Sequence, residues 1–208
     1  FCATFIFQTR SRTLTYNYGK ITDSQNKITY NYGTIEKNNA SVDTNYSIIE
    51  NNTGTINRYS SDATLNENSG TINTLSKGSV RKNTGKINDV NDKNVTIYNY
   101  AGGTVGKSND AWGVRACTVW NMGGIVQGYS SYADNVKVYN FEGGTVSNLR
   151  KGSVIYNLGG TVTDSSTAQV INCYKVNINS SFVETWNDKF IINPDTGEVW
   201  LPEGETGT

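Results

Sequence analysis

No histidine occurs among the 208 residues, and there are only two prolines, one methionine and three cysteines. Without imidazole, histidine triads, histidine metal sites and imidazole acid–base catalysis are excluded. Cys2, Cys117 and Cys173 are far apart, odd in number and form no Cys-x-x-Cys pair. They read as incidental buried thiols; one long-range disulfide is the alternative and would suit an extracellular setting. Lys plus Arg and Asp plus Glu each number 18, so the formal charge is zero. A neutral chain has no long-range attraction for a phosphate backbone or an anionic lipid surface, and no nucleic acid partner is expected. No apolar run approaches the roughly 20 residues that cross a bilayer, so no membrane insertion is expected. The opening FCATFIFQTR carries neither an initiator methionine nor the small-residue cleavage pattern of a signal peptide, which reads as a processed or excerpted product.

What is present points to strands. The apolar fraction of 36% is low and predicts a thin core, whereas 21 glycines, 11% aromatics and many Val and Ile residues favour a folded, β-rich chain over disorder. The stretch VYNFEGGTVSNLRKGSVIYNLGGTV (138–162) says one phrase twice. The phrase, an Asn, then Gly, one variable residue and Ile or Val, recurs with its apolar member at Ile21, Ile35, Ile56, Ile72, Ile87, Val105, Val126, Val146 and Val162. Its intervals run from 14 to 21 residues, and a degenerate tenth copy begins at Ile171-Asn172. Stretches such as NVKVYN (135–140) alternate apolar and polar residues with β-branched enrichment, the mark of a half-buried strand. Helical repeats lack the necessary 3.6-residue stripe, and propeller blades need roughly 40 residues. The expected fold is therefore all-β: a single-stranded parallel β-solenoid of about nine to ten irregular coils, rising about 4.8 Å per coil to a rod on the order of 40–50 Å.

If coils stack, each repeat position becomes a column. Period-2 alternation in VKVYN turns Asn140 inward with Val136 and Val138, and its column reads Asn17, Asn31, Asn52, Asn68, Asn83, Asn99, Asn121, Asn140 and Asn157. This is expected to be a structural amide ladder pairing with itself and with turn backbone. The preceding residue points outward, and from Tyr98 through Trp120 and Tyr139 to Tyr156 it makes an aromatic stripe, joined by Tyr100, Met122, Phe141 and Leu158. An exposed strip of this kind marks an interface with a sister chain, a capping segment or neighbouring rings, and the competing reading is a sugar-stacking platform. Thr34, Thr55, Thr71, Thr104, Thr145 and Thr161 precede the core Ile or Val and raise an ice-binding face, although Lys20 and Lys86 interrupt the row. AGGTVGKS (101–108) fits a relaxed phosphate loop, but NDAWGVRACTVWN (109–121) leads into the next strand instead of a helix. Asp92, Asp110, Asp134 and Asp164 do not share a column, so no acidic pair for glycan cleavage is expected, and neither catalytic residues nor a cofactor or metal are assigned.

Domain boundaries are drawn at 1–15 (an N-terminal strand or plug using Phe1, Phe5, Ile6 and Phe7), 16–180 (the solenoid) and 181–208 (a cap and linker tail). In the last, KFIINPDTGEVWLP (189–202) predicts a hairpin setting Ile191 and Ile192 near Val199 and Leu201, with Trp186 and Trp200 beside it.

The phrases NNTGTI, NSGTI, YNYGTI and YNLGGTV, spread over roughly residues 16–175, resemble the degenerate solenoid repeats of bacterial surface adhesins of the filamentous-haemagglutinin and autotransporter type, and are similar to the shafts of phage tail fibres and tailspikes. The resemblance is one of architecture. It implies a cell-surface or virion location, a shaft or adhesive role, frequent trimers and, in some members, glycan cleavage; this chain has no matching catalytic motif. The resulting expectation is a non-enzymatic structural or adhesive module, self-associating or meeting a cell-surface glycan through the aromatic stripe. A polysaccharide depolymerase and an ice-binding protein are the alternatives.

Overall fold

The computed structural model describes residues 13–107, 113–128, 135–177 and 189–205. Among them there is no helix, and the fold is a parallel β-solenoid. Two sheets face each other across a narrow core. The first begins with Leu14–Asn17 and ends with Thr161–Thr163; the second begins with Lys20–Ser24 and runs on to Gln169–Val176. Each is ten parallel strands deep, giving about nine turns.

The first turns are built from half-turns of seven residues: ITYNYGT (28–34), IEKNNAS (35–41), VDTNYSI (42–48), IENNTGT (49–55). Each opens on a fully buried aliphatic and places a buried Asn three residues later, and successive half-turns feed opposite sheets. Thus Ile28 pairs in register with Val42 on the first sheet, and Ile35 with Ile49 on the second. The aliphatic columns are closed to solvent over nearly their whole length. Complete burial of each Val or Ile is worth on the order of 1.5–3 kcal/mol, and here it is the main favourable contribution of a turn.

Period-2 alternation fails in the early turns. Two residues, not one, separate each buried aliphatic from its buried Asn, as in Ser79–Asn83, where Val80 and Asn83 are buried and Arg81 and Lys82 exposed. The second sheet changes to strict alternation at one place: Val80 pairs with Ile97 but Asn83 pairs with Asn99, so Arg81-Lys82 is opposed by Tyr98 alone. This is a bulge of one residue, and from Tyr98 onward a single outward position lies between Val119 and Asn121 or Val138 and Asn140.

The expected asparagine ladder is two ladders. On the second sheet Asn38, Asn52, Asn68, Asn83, Asn99, Asn121, Asn140 and Asn157 are linked, each Nδ2 donating to the Oδ1 of the next at 2.7–3.3 Å. On the first, Asn17 donates to Asn31 at 2.7 Å and Asn31 to Asn45 at 2.6 Å. That series stops where Tyr59 takes the Asn45 register position, followed by Leu75, Val90 and Val114. Asn17 and Asn31 therefore stand across the core from the other seven residues of the expected column, and Asn38 and Asn45 complete the rungs. The aliphatic column divides likewise: Ile21 and Ile35 lie on the second sheet, whereas Ile56 through Val162 lie on the first. With half-turns of equal length both sheets carry the same motif, and a search for one motif merges them.

The amides also close the corners. Asn31 donates to the Gly33 carbonyl at 2.9 Å, Asn121 to that of Gly124 at 3.0 Å and Asn140 to that of Thr161 at 3.1 Å. These bonds tie each amide to backbone at and beside the corner; the Gly124 carbonyl also accepts from the Thr145 N–H at 2.9 Å. The corner backbones approach so closely that a Cβ on Gly54 would lie 1.9 Å from the Ala40 carbonyl oxygen.

At the C-terminal end the strand Gln169–Val176 pairs parallel with Val154–Leu158 through its first half and antiparallel with Val199–Pro202 through its second. Val199–Pro202 pairs in turn with Ile191–Ile192 about the Asn193–Gly197 turn, forming the expected hairpin. The first sheet stops at Thr161–Thr163, leaving beside it a cleft of about 600 Å³ lined by Asn157, Val162, Ser165, Val170 and Asn172 among others. Phe1, Phe5, Ile6, Phe7, Cys2 and Trp186 lie outside the described residues.

One rung of the second ladder is faulty. Asn38 Oδ1 is buried without a hydrogen-bond partner, because Ser24 occupies the preceding register position and turns its hydroxyl to the Asn26 carbonyl, 3.1 Å away. Ser24→Asn is expected to supply the missing amide donor and raise unfolding free energy by about 1 kcal/mol in denaturant titration. Asn121→Leu is expected to cost about 3 kcal/mol by breaking the ladder on both sides: Asn140 Oδ1 loses its donor, and Asn99 Nδ2 keeps only its longer bonds to the Ile125 and Gly103 carbonyls. Asn157→Leu, at the half-exposed end of the ladder, is expected to cost far less, and equal losses at both positions would contradict a role set by burial.

Candidate functional site

The bulge that converts the second sheet to alternation also creates its aromatic column. Tyr98, Trp120, Tyr139 and Tyr156 stand in register, followed by Ile171. Their rings stack at centroid separations of 6.1, 4.2 and 5.2 Å, with interplanar angles of 13°, 24° and 16°. Beyond the Asn ladder, Tyr100 pairs with Met122 and Phe141 with Leu158, and Phe141 stacks on Trp120 at 6.1 Å.

This stripe is not an open face. The C-terminal hairpin lies on it and forms a second apolar core, in which Phe141, Leu158 and Ile191 are buried and Trp120, Met122, Tyr139, Tyr156, Cys173 and Trp200 pack around them. The Trp200 ring rests over Gly159, and the Tyr100 hydroxyl donates to Asp195 of the hairpin turn at 3.0 Å. Burial, with Asp195 beside it, pushes the Tyr100 phenol up to about 12, and burial also raises that of Tyr139. Of the occupants expected for the stripe, a sister chain, a capping segment or neighbouring rings, the chain's own C-terminal hairpin is the one seated on it from Trp120 to Tyr156.

An aromatic cluster that is open lies at the other end, on the first turns of the first sheet. Tyr16 stacks on Tyr30 at 5.4 Å, and at the adjoining corner Tyr18 stacks on Tyr32 at 5.3 Å and Tyr32 on Tyr46 at 5.1 Å, with interplanar angles of 9° and 12° in the second series. Tyr16 is 51% exposed, Tyr18 72%, Tyr32 44% and Tyr46 48%. The sequence carries the signal for this cluster as two copies of Tyr-Asn-Tyr-Gly at 16–19 and 30–33, with Tyr46 after Asn45. A column aligned on the residue before each Asn takes in Tyr16 and Tyr30 but passes over Tyr18, Tyr32 and Tyr46, which follow the Asn.

In both clusters the ring planes are turned toward one another. A sugar stacks on an aromatic face, and the faces inside such a series are taken by the neighbouring rings, leaving edges and hydroxyls outward there. Partial dehydration against its neighbours, with the phenols of Tyr46 and Tyr18 alongside, raises the Tyr32 phenol above its ordinary range.

Other outward positions also stack like on like. Asn88 donates to Asn73 at 2.7 Å, Asn73 to Asn57 at 2.8 Å and Asn57 to Asp43 at 2.9 Å. Lys82 pairs with Glu67 at 3.0 Å and Lys27 with Asp43 at 2.9 Å between turns. The threonine row is broken. Thr34 and Lys20 belong to the second sheet, and the first-sheet row reads Ser41, Thr55, Thr71, Lys86, Thr104, Ile125, Thr145, Thr161. Gly102 to Val105 form a corner and strand, not the mouth of a helix. Asp92 accepts from the Asn94 backbone in a turn, and Asp110 and Asp134 lie outside the described residues. Cys117 is buried and Cys173 half-buried, both as free thiols, and burial pushes them up to about 12 and about 11. Comparison with protein-family models, curated proteins and solved structures finds no match.

Phe141→Ala is expected to lower stability by about 3 kcal/mol and to expose the tryptophans to an aqueous fluorescence quencher, since the ring bridges rod and hairpin. A variant with unchanged unfolding midpoint would show that the hairpin does not depend on the stripe.

Proposed function

We propose that this chain is a non-enzymatic structural module, a shaft or attachment segment of an extracellular fibre or virion appendage. One observation carries the reading: the repeat extends to the surface. Catalysis brings unlike groups together, a nucleophile beside a base or a carboxylate beside a proton donor. Here the outward columns set Asn on Asn, Tyr on Tyr and Lys against Glu from turn to turn. Such side chains brace a rod along its length. The resemblance of the repeats to surface-adhesin and tail-fibre shafts agrees with this role, and its location and its trimers belong to the proposal.

The contact surface in this reading moves from the covered stripe to the tyrosine edges of the first turns, which offer apolar rims with outward hydroxyls to a neighbouring subunit or a cell-surface glycan. Association rests on shape and apolar contact, because a chain of zero formal charge has no steering field.

Small-angle scattering joined to light scattering tests the proposal on the whole chain. The expected result is an elongated particle that self-associates or binds on a glycan array, and that loses this contact without losing thermal stability when Tyr18, Tyr32 and Tyr46 become serine. Catalytic release of oligosaccharides from a capsular polysaccharide would overturn the non-enzymatic reading.

A further inference from the structure

The exposed tyrosine series has a property that neither a structural nor an adhesive role requires. Tyr18, Tyr32 and Tyr46 follow Asn17, Asn31 and Asn45, the three residues joined by the first-sheet amide ladder. Backbone registry thus fixes the phenols at the spacing of the strands, and the rings lie nearly parallel at 5.3 and 5.1 Å. Rings so placed hold consecutive phenols within reach of one another, and all three residues are exposed.

We propose that this series is a site of oxidative tyrosine coupling, in which a one-electron oxidant, such as a haem peroxidase supplied with hydrogen peroxide, joins Tyr18 to Tyr32 or Tyr32 to Tyr46. The oxidant takes one electron from each of two phenols, and each hydroxyl proton passes to water. The two phenoxyl radicals combine at ortho carbons, forming one carbon–carbon bond. Each joined carbon then loses its hydrogen as a proton while each oxygen regains one, restoring both aromatic rings. The pair has lost two hydrogen atoms in total, and the peroxide is reduced to two waters. The product is an intramolecular staple between consecutive turns. Tyr16 and Tyr30, at 5.4 Å, form a parallel but slightly more tilted pair, with an interplanar angle of 17°. Tyr139 and Tyr156 have the same spacing, 5.2 Å, but lie under the hairpin and serve as an internal control for access.

This inference does not rest on the shaft reading, because the reaction occurs within one chain. The test treats the dilute folded protein with a haem peroxidase and hydrogen peroxide, isolates the monomer-mass product under denaturing conditions and digests it with trypsin. Cleavage after Arg12, Lys20, Lys27, Lys37 and Arg58 places Tyr16 and Tyr18, Tyr30 and Tyr32, and Tyr46 on three separate peptides. The expected result is blue dityrosine fluorescence, with peptides 13–20 and 28–37, or 28–37 and 38–58, joined and lighter by two hydrogens. Tyr32→Phe is expected to abolish every link to Tyr46 and to leave only the weaker link through Tyr30. Circular dichroism confirms that this exposed, conservative variant is folded. Equal yield of these links from chain unfolded in denaturant, equal coupling at Tyr139–Tyr156, or links found only between chains would each overturn the assignment.

Discussion

A buried asparagine amide that must donate toward the next turn governs this molecule. An amide removed from water costs a few kcal/mol if left unpaired. In the second-sheet ladder each Nδ2 reaches the next Oδ1 and, at several rungs, a corner carbonyl as well. The same interaction sets the spacing, because an amide chain tolerates only the strand separation of a parallel sheet. It sets the direction, because every donor points toward the C-terminal end. It also demands a corner tight enough to bring the carbonyl within reach, which is why backbone at Gly54 passes where a Cβ would clash. Linked amides polarise one another, so a complete ladder is stronger than its separate bonds.

The aliphatic column and the amide column divide the work. Ile, Val and Leu supply most of the driving force and would accept any parallel registry that buries them. The amides reject registries that slip by one residue, since a slip strands a donor in the core. Where the first sheet gives up its ladder, Tyr59 replaces the amide with a phenol that satisfies itself locally, donating to the Ala63 carbonyl at 3.2 Å, and Leu75 and Val90 follow with no polar atom to satisfy. Ladder and apolar column are thus alternative solutions for the same position, and the exchange occurs in a single turn.

Much of this architecture is legible in the sequence. The Asn-Gly-x-Ile/Val phrase identifies a parallel solenoid, the inward Asn and the elastic turn length, because each follows from a pattern local to one turn. Two things are not legible, for distinct reasons. The assignment of Asn17 and Asn31 to their sheet needs the number of residues per half-turn, and equal half-turns such as ITYNYGT and IEKNNAS give both faces one signature. The cover on Trp120, Tyr139 and Tyr156 comes from Ile191 and Trp200, which meet the stripe only after the chain has turned back on itself. Outward direction can be read from alternation; whether outward means solvent cannot.

The two aromatic clusters show how one residue of register separates aromatics that a hairpin covers from aromatics left at the surface. In the C-terminal turns, deletion of one residue between aliphatic and Asn sets a single ring above each amide, and the adjoining column, Tyr100, Met122, Phe141 and Leu158, supplies the apolar ground on which a hairpin can dry. In the first turns two residues intervene, and the companions of Tyr16 are Leu14 and Thr15 before it and Asn17 and Tyr18 after, with Ile28, Thr29, Asn31 and Tyr32 around Tyr30. The surface there alternates phenol with polar groups, and Lys20 pairs with Glu36 at 2.5 Å close by, so no broad dry patch forms for a hairpin to cover. The rings keep each other's faces dry but leave their edges wet, and a stacked ring with a wet edge is held in place while remaining open to reaction.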